Sequence, residues 1–324
     1  MKLKILTLAL TLALTLAFLC AAPVPAGAQA EPAPAKVFFT KDISQAGLQK
    51  VYEALGRPAT GKVGVKLTVG EPGNTHYLAP GLIGDLVRSV NGTFIDGNTA
   101  YGGKRGNAAD HLKAAADHGF TAVAPMVILD AEGEINLPIQ GGSHLKEVPV
   151  GAHFRDYDFL MVLSHFKGHA MGGFGGALKN ISIGIASPAG KALIHTAGRS
   201  STDVWDGPDQ QIQFIESMAE AAAGMIAAVG PEKALYISVM NNLSVDCDCA
   251  SSPAKPEMHD IGILGSLDPV ALDQACVDLI YSAEDDKASA SLRERIESRQ
   301  GAAILPHAEK LGLGRREYQL VSLD

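Results

Sequence analysis

FLMVLSHFKGHAMGGFGGALKN, residues 159–180, joins an unbroken apolar run to a polar stretch holding two histidines, two lysines and five glycines. Phe159 to Leu163 is short and shows no alternation, the pattern of a strand covered on both faces. Beyond Leu163 lies the turn such a strand makes toward its next helix, and it is crowded with proton-carrying side chains.

Outward from this stretch, strands and helices take turns. Ser44 is placed to cap a helix whose Leu48, Val51, Tyr52 and Leu55 share one face, with Gly56 as its stop. VGVKLTV from Val63 reads as a strand, Pro80 opens a helix, GTFID at 92–96 is a strand, and 107–118 is a helix ended by Gly119. Further strands are expected at 121–129, 157–163, ALYISVM at 234–240, DIGIL at 260–264 and EYQLVSL at 317–323. The longest helix begins after Gly207-Pro208-Asp209 and ends at Gly230-Pro231, and Asp268-Pro269 caps another running to about Tyr281. A charged helix is expected near Leu292. This alternation predicts an α/β fold, a mixed or mostly parallel sheet layered with helices. The domain is drawn at 36–324, with a weakly signalled lobe boundary near 155, after the irregular stretch 130–153.

At 47% hydrophobic, the chain has enough apolar residues for a sizeable core. Lys2 and Lys4 precede the apolar run Ile5 to Cys20, and Ala28-Gln29-Ala30 supplies a cleavage pattern, so residues 1–30 read as a secretory signal and 31–35 as a linker. The run is short for a bilayer span, Leu19 before Cys20 argues against lipidation, and no later segment is expected to insert. The expected location is therefore the periplasm or the medium. Removal of the two lysines takes the formal charge from −8 to about −10, which argues against a nucleic-acid partner. Cys247, Cys249 and Cys276 then remain, too few for a disulfide scaffold.

Ligands of α/β sheets collect beyond the carboxyl ends of strands. There the glycine-rich loop offers backbone N–H groups, with Lys167 and Lys179 adding charge for an anion, although no phosphate-loop pattern is present. His165 and His169 are candidates for proton transfer or metal ligation, alongside Lys167. In VDCDCASS, an extended backbone would project Cys247 and Cys249 to one side, toward a soft metal. A local disulfide or two ordinary thiols are the alternatives. Lys66, Asp96, Asp268 and Asp273 stand at strand ends or strand-to-helix loops, as does His195 after Lys191. Asp268 is most simply a cap, and Cys276 a core residue.

VGVKLTV, FIDGN, the K-x-H of Lys167 and His169, G-x-x-K-N ending in Lys179 and Asn180, the Cys-Asp-Cys segment and S-x-D-P-V-A-x-D together resemble the domain-of-unknown-function family 362, whose members are often labelled iron-sulfur-centre proteins. The resemblance implies a metal or iron-sulfur cofactor. Relatives carrying a ferredoxin-like module have two further cysteine clusters; this sequence has neither, so paired four-iron clusters are not expected. Cys276 with the Cys-Asp-Cys pair would make a three-thiolate site. The residues support two readings. One is a metal or cluster site at Cys247 and Cys249, with His165, Lys167 and His169 beside it. The other is a non-catalytic module in which Lys66, Lys167, Lys179 and the glycine backbone hold a small anion and the cysteines form only a disulfide, with Asp96 and Asn180 as further binding candidates. No serine-elbow or H-E-x-x-H motif occurs, so a hydrolase using His169 as base ranks last.

Overall fold

The structure is a computed structural model, described here for residues 33–283 and 286–324; the expected signal segment and linker residues 31 and 32 lie outside the described residues. The chain runs β1 (Ala35–Thr40), α1 (Gln45–Ala54), β2 (Val63–Lys66), α2 (Pro80–Ser89), β3 (Thr93–Asp96), α3 (Ala108–Asp117), β4 (Met126–Ile128), β5 (Glu134–Pro138), β6 (Glu147–Gly151) and β7 (Phe159–His165). It continues through β8 (Lys167–His169), β9 (Gly173–Gly175), α4 (Ala177–Ile185), α5 (Pro188–His195), α6 (Gln211–Val229), β10 (Ala234–Met240), β11 (Gly262–Ser266), α7 (Pro269–Tyr281), α8 (Asp286–Ser298), α9 (Ile304–Lys310) and β12 (Tyr318–Ser322).

Eight strands form one sheet in the order β12-β1-β11-β10-β7-β2-β3-β4. Every adjacent pair is parallel except the two that involve β11, which runs against the rest. β2 and β7, on either side of residue 155, pair directly, so the sheet runs across the position considered for a lobe boundary. Period-two geometry divides β7 between two cores. Phe159, Met161 and Leu163 face α1 and α2, while Leu160 and Val162 face the layer built from α4, α5, α6, α7 and α9. Burial on both sides is why the strand sequence is continuously apolar.

Side-chain caps form where the sequence places them: Ser44 accepts from Gly47 N–H, Asn107 from Asp110 N–H, and Asp268 from the N–H groups of Val270 and Ala271. The expected strand at 121–129 shrinks to β4, because Gly119 turns in the left-handed region at φ 87° and leads into a 3-10 turn at Phe120–Ala122. The irregular stretch holds an antiparallel hairpin, β5 with β6. The glycine-rich stretch is also a hairpin, β8 with β9, rather than an open loop. By length and composition α6 could cross a membrane, against expectation. Its Phe214, Ile215, Met218, Ala222 and Met225 are buried in the core, packed among α4, α5 and α9.

Candidate functional site

After β2 the chain moves outward to β3 and β4; after β7 it moves the other way to β10. The reversal opens a crevice at the carboxyl ends of β2 and β7, where α/β sheets bind ligands. A cavity of about 350 Å³ lies there, lined by Lys66, Asp96, His165, Lys167, His169, Lys179, Asn180, Cys247 and Cys249 among others. The Cys-Asp-Cys segment arrives by a simple route. Since β11 is antiparallel to β10, the connection between them, residues 241–261, stays at the cavity edge. Gly168 lets it settle against β8: its N–H donates to the Ser244 carbonyl at 2.8 Å, and a Cβ there would lie 2.4 Å from the Val245 carbonyl oxygen.

Two buried ion networks form the walls. In one, the Lys66 ammonium, 0% exposed, meets Asp96 at 3.0 Å and donates to Asn180 Oδ1 at 2.8 Å and to the Leu67 carbonyl at 2.9 Å, which uses all three protons. A Cβ at Gly184 would stand 2.5 Å from that ammonium, so glycine makes room for it in α4. Asn180 spends its amide on the Leu163 carbonyl and Ser164 Oγ, pinning α4 to β7. Arg105 joins Asp96 at 3.6 Å and Glu71 at 2.8 Å, and His111 lies 3.4 Å from Asp96. Burial acts to raise the Asp96 carboxyl, but Lys66, His111 and Arg105 outweigh it and hold the group well below the usual carboxylate range.

Asp248 organises the other network. Its carboxylate accepts from Lys167 at 2.7 Å and meets His165 Nδ1 at 2.9 Å, while His165 Nε2 faces the Asn241 carbonyl at 2.8 Å. Lys167 also donates to the His76 carbonyl. Both ring nitrogens of His165 are engaged, and neither is free. Thus His165 and Lys167, expected to act on a ligand, are bound to Asp248 instead. Burial would raise Asp248, and the His165 and Lys167 charges bring it below its ordinary value.

Other groups at the cavity have hydrogen-bonding capacity to spare. Lys179 has no hydrogen-bond or ion-pair partner among the described residues, and burial, then the Lys66 and Arg105 charges, brings its ammonium down to about 8. Among the described residues Lys191 bonds only to the Ala186 carbonyl, and it is lowered to about 8, chiefly by burial. His195, stacked on Phe214 at 4.7 Å, is brought to about 4 by burial and then by Lys179 and Lys191; its buried Nδ1 has no partner among the described residues, nor has Thr99 Oγ1. His169 is held well below its usual value by burial and then by Lys179. The Gly172 N–H donates to His169 Nδ1 at 2.8 Å, which puts the proton of the neutral ring on Nε2.

Cys247 and Cys249 are joined in a disulfide, and their sulfurs and a His169 ring nitrogen all lie within 4.8 Å of one another. Reduced, these three donors suit one soft metal ion. They do not suit an iron-sulfur cluster. Cys276, the third thiolate of the expected site, is fully buried on α7 among core residues and does not line the cavity.

Asp268 and Asp273 are corrected too. Because β11 is reversed, the turn after it leaves from the opposite edge of the sheet, where Asp268 caps α7 and accepts from Arg315 N–H at 2.8 Å. Asp273 is buried on α7 and accepts from the N–H groups of Ala177 at 2.7 Å and Leu178 at 2.9 Å. It therefore occupies the α4 N-terminus that the glycine-rich segment was expected to offer an anion. Burial pushes its carboxyl up to about 7 despite those two donors. A carboxyl raised on folding binds a proton in the native state that the unfolded chain has released, so its contribution is full below the ordinary value and is lost as pH rises through 7. Buried His169 and His195 act oppositely over much of this window. The expectation therefore concerns a difference: between pH 4 and 7 the stability of wild type relative to Asp273→Asn should fall, by at most about 1.4 kcal/mol per pH unit, in parallel denaturant titrations. A constant difference would contradict it.

Asp248, Arg105, Lys191 and His195 were not among the foremost candidates from sequence, yet they shape the cavity. A lysine and a histidine four apart in the apolar segment PAGKALIH were the available signal for the last two.

Two solved structures are similar to this chain. The lactate racemase apoprotein from Thermoanaerobacterium thermosaccharolyticum is 14% identical with a TM-score of 0.43, covering 76% of this chain and 57% of its own. A Thermotoga maritima structural-genomics protein is 15% identical with a TM-score of 0.42, covering 79% of this chain and 58% of its own. The chain thus spans less than two thirds of either. No curated protein matches the sequence. A family model does, over residues 63–278, the segment holding both ion networks, the glycine-rich hairpin and the Cys-Asp-Cys turn, and the chain belongs to that family, the domain of unknown function DUF362.

Proposed function

We propose that the cavity binds a small anionic molecule, in an exported protein whose Cys247–Cys249 disulfide suits an oxidising compartment. The observation that carries this reading is Lys179, a cation lining the cavity with no acceptor of its own among the described residues. Five lysines and arginines line the cavity against three aspartates, Asp96, Asp246 and Asp248. The acids are already engaged by Lys66, Lys167 and Arg295. A ligand carboxylate or phosphate would therefore meet unspent positive charge, with the Nε2–H of His169 as a further donor.

Calorimetric titration and thermal shift with phosphate and simple carboxylates test this. Lys179→Ala should weaken binding by about 10- to 100-fold, the equivalent of losing one charge-assisted hydrogen bond of about 1.5–3 kcal/mol. Affinity should hold below pH 8 and decline above it, as Lys179 loses its proton. Unchanged binding by Lys179→Ala would reject the placement.

A second reading rests on the approach of His169 to the two sulfurs. Reduction would free two thiols to hold one soft ion with the imidazole, once the His169 proton moves to Nδ1 and the Gly172 bond is given up. Metal analysis after anaerobic reduction and zinc loading is expected to give one ion per chain, lost in Cys247→Ser. Equal metal content in that variant would eliminate it.

A further inference from the structure

We infer that the anion held in this cavity carries a flat aromatic group, its charged end at Lys179 and its ring against Trp205. The inference rests on the anion reading above and names the ligand class. Trp205 is the sole tryptophan of the chain and lines the cavity, yet it is 70% exposed. Among the described residues it has no aromatic or cationic partner. An indole left in water forgoes the burial that usually holds such a side chain, whereas a planar ligand group would stack on it.

The turn bearing Trp205 is fastened. Trp205 N–H donates to Asp203 Oδ1 at 2.8 Å, and Asp203 N–H donates to Ser200 Oγ at 3.0 Å. Arg199 ties the next residues of the chain through the Asp206 carbonyl at 3.1 Å and Asp209 at 3.2 Å. Val204, beside the tryptophan, is buried, which anchors the turn at the cavity. Met171 and Ile183 add apolar lining. A bare phosphate would use the cations and leave these surfaces wet; a ring would cover them. A cavity of about 350 Å³ is within the range of small-molecule sites and admits one ring with its anionic substituent.

With one tryptophan, intrinsic fluorescence of the whole protein reads the contact directly. The probes are phenyl phosphate against methyl phosphate and benzoate against acetate, which also separates phosphate from carboxylate recognition. The aryl member of at least one pair should bind about 10-fold or more tightly than its methyl counterpart and shift or quench the emission. Trp205→Ala, at an exposed position, should remove that advantage in calorimetry while leaving methyl phosphate and acetate affinities unchanged; Trp205→Phe should keep most of it. If the small anions bind but neither aryl probe gains, or if Trp205→Ala keeps the gain, the inference is overturned and the anion pocket stands. If no probe binds, both are overturned.

Discussion

Asp248→Ala should lower the unfolding free energy by about 3–5 kcal/mol, the loss seen when one partner of a buried ion pair is removed. The Lys167 ammonium, almost wholly buried, would keep only the His76 carbonyl, and His165 would lose the acceptor at Nδ1. Asp248 also holds the chain by its backbone, since the Glu71 N–H donates to its carbonyl at 2.8 Å, a contact the substitution spares. That separates the carboxylate from the turn. Adding Lys167→Met should recover much of the loss, because the stranded charge leaves with its partner, and a double-mutant cycle in guanidinium reads the coupling. Additive effects would mean that the pair is not the unit drawn here.

The second large effect is at the other network. Asp96→Ala would leave Lys66 and Arg105 buried with one shared counter-charge gone and His111 with only Asn98 beside it, again about 3–5 kcal/mol. Arg105 keeps Glu71 at 2.8 Å and Thr68 at 3.0 Å, so Lys66 should bear most of the damage. Lys66→Met in the Asp96→Ala background is therefore expected to restore more stability than Arg105→Met. The pH sense is opposite to that of Asp273. Both network carboxyls are depressed in the folded protein, so their stabilisation is complete above about pH 4 and lost as pH falls through their native values. Acid unfolding of the paired variants should accordingly be shallower than that of wild type.

Much of the fold could be read because its determinants are local. Ser44, Asn107 and Asp268 cap at fixed offsets, and strands buried on two faces announce themselves as unbroken apolar runs. The hairpin of β5 and β6 was hidden because Pro138 and Pro149 interrupt its pattern and its two strands form a sheet apart from the main one. The site was legible where position along a strand sufficed: Lys66, Asp96 and the residues after Leu163 do meet at one cavity. It failed where strand direction mattered, since nothing in DIGIL says that β11 runs backward, and Asp268 was assigned to the wrong edge in consequence. It failed also for roles set by distant partners. Neither the acceptance of Lys167 by Asp248, 81 residues on, nor the shielding of the α4 N-terminus by Asp273 is written in the neighbouring sequence.

The lone backward strand gives the molecule a working side and a handling side. Ser266 and the start of α7 sit beside the amino-terminal end of β1 and, through it, the exposed Gln319 of β12, with the thickness of the sheet's strands between them and the cavity. A dye, surface tether or affinity handle attached at Gln319 would leave the mouth of the cavity unobstructed, so an immobilised protein should report ligand affinities equal to those of the free one.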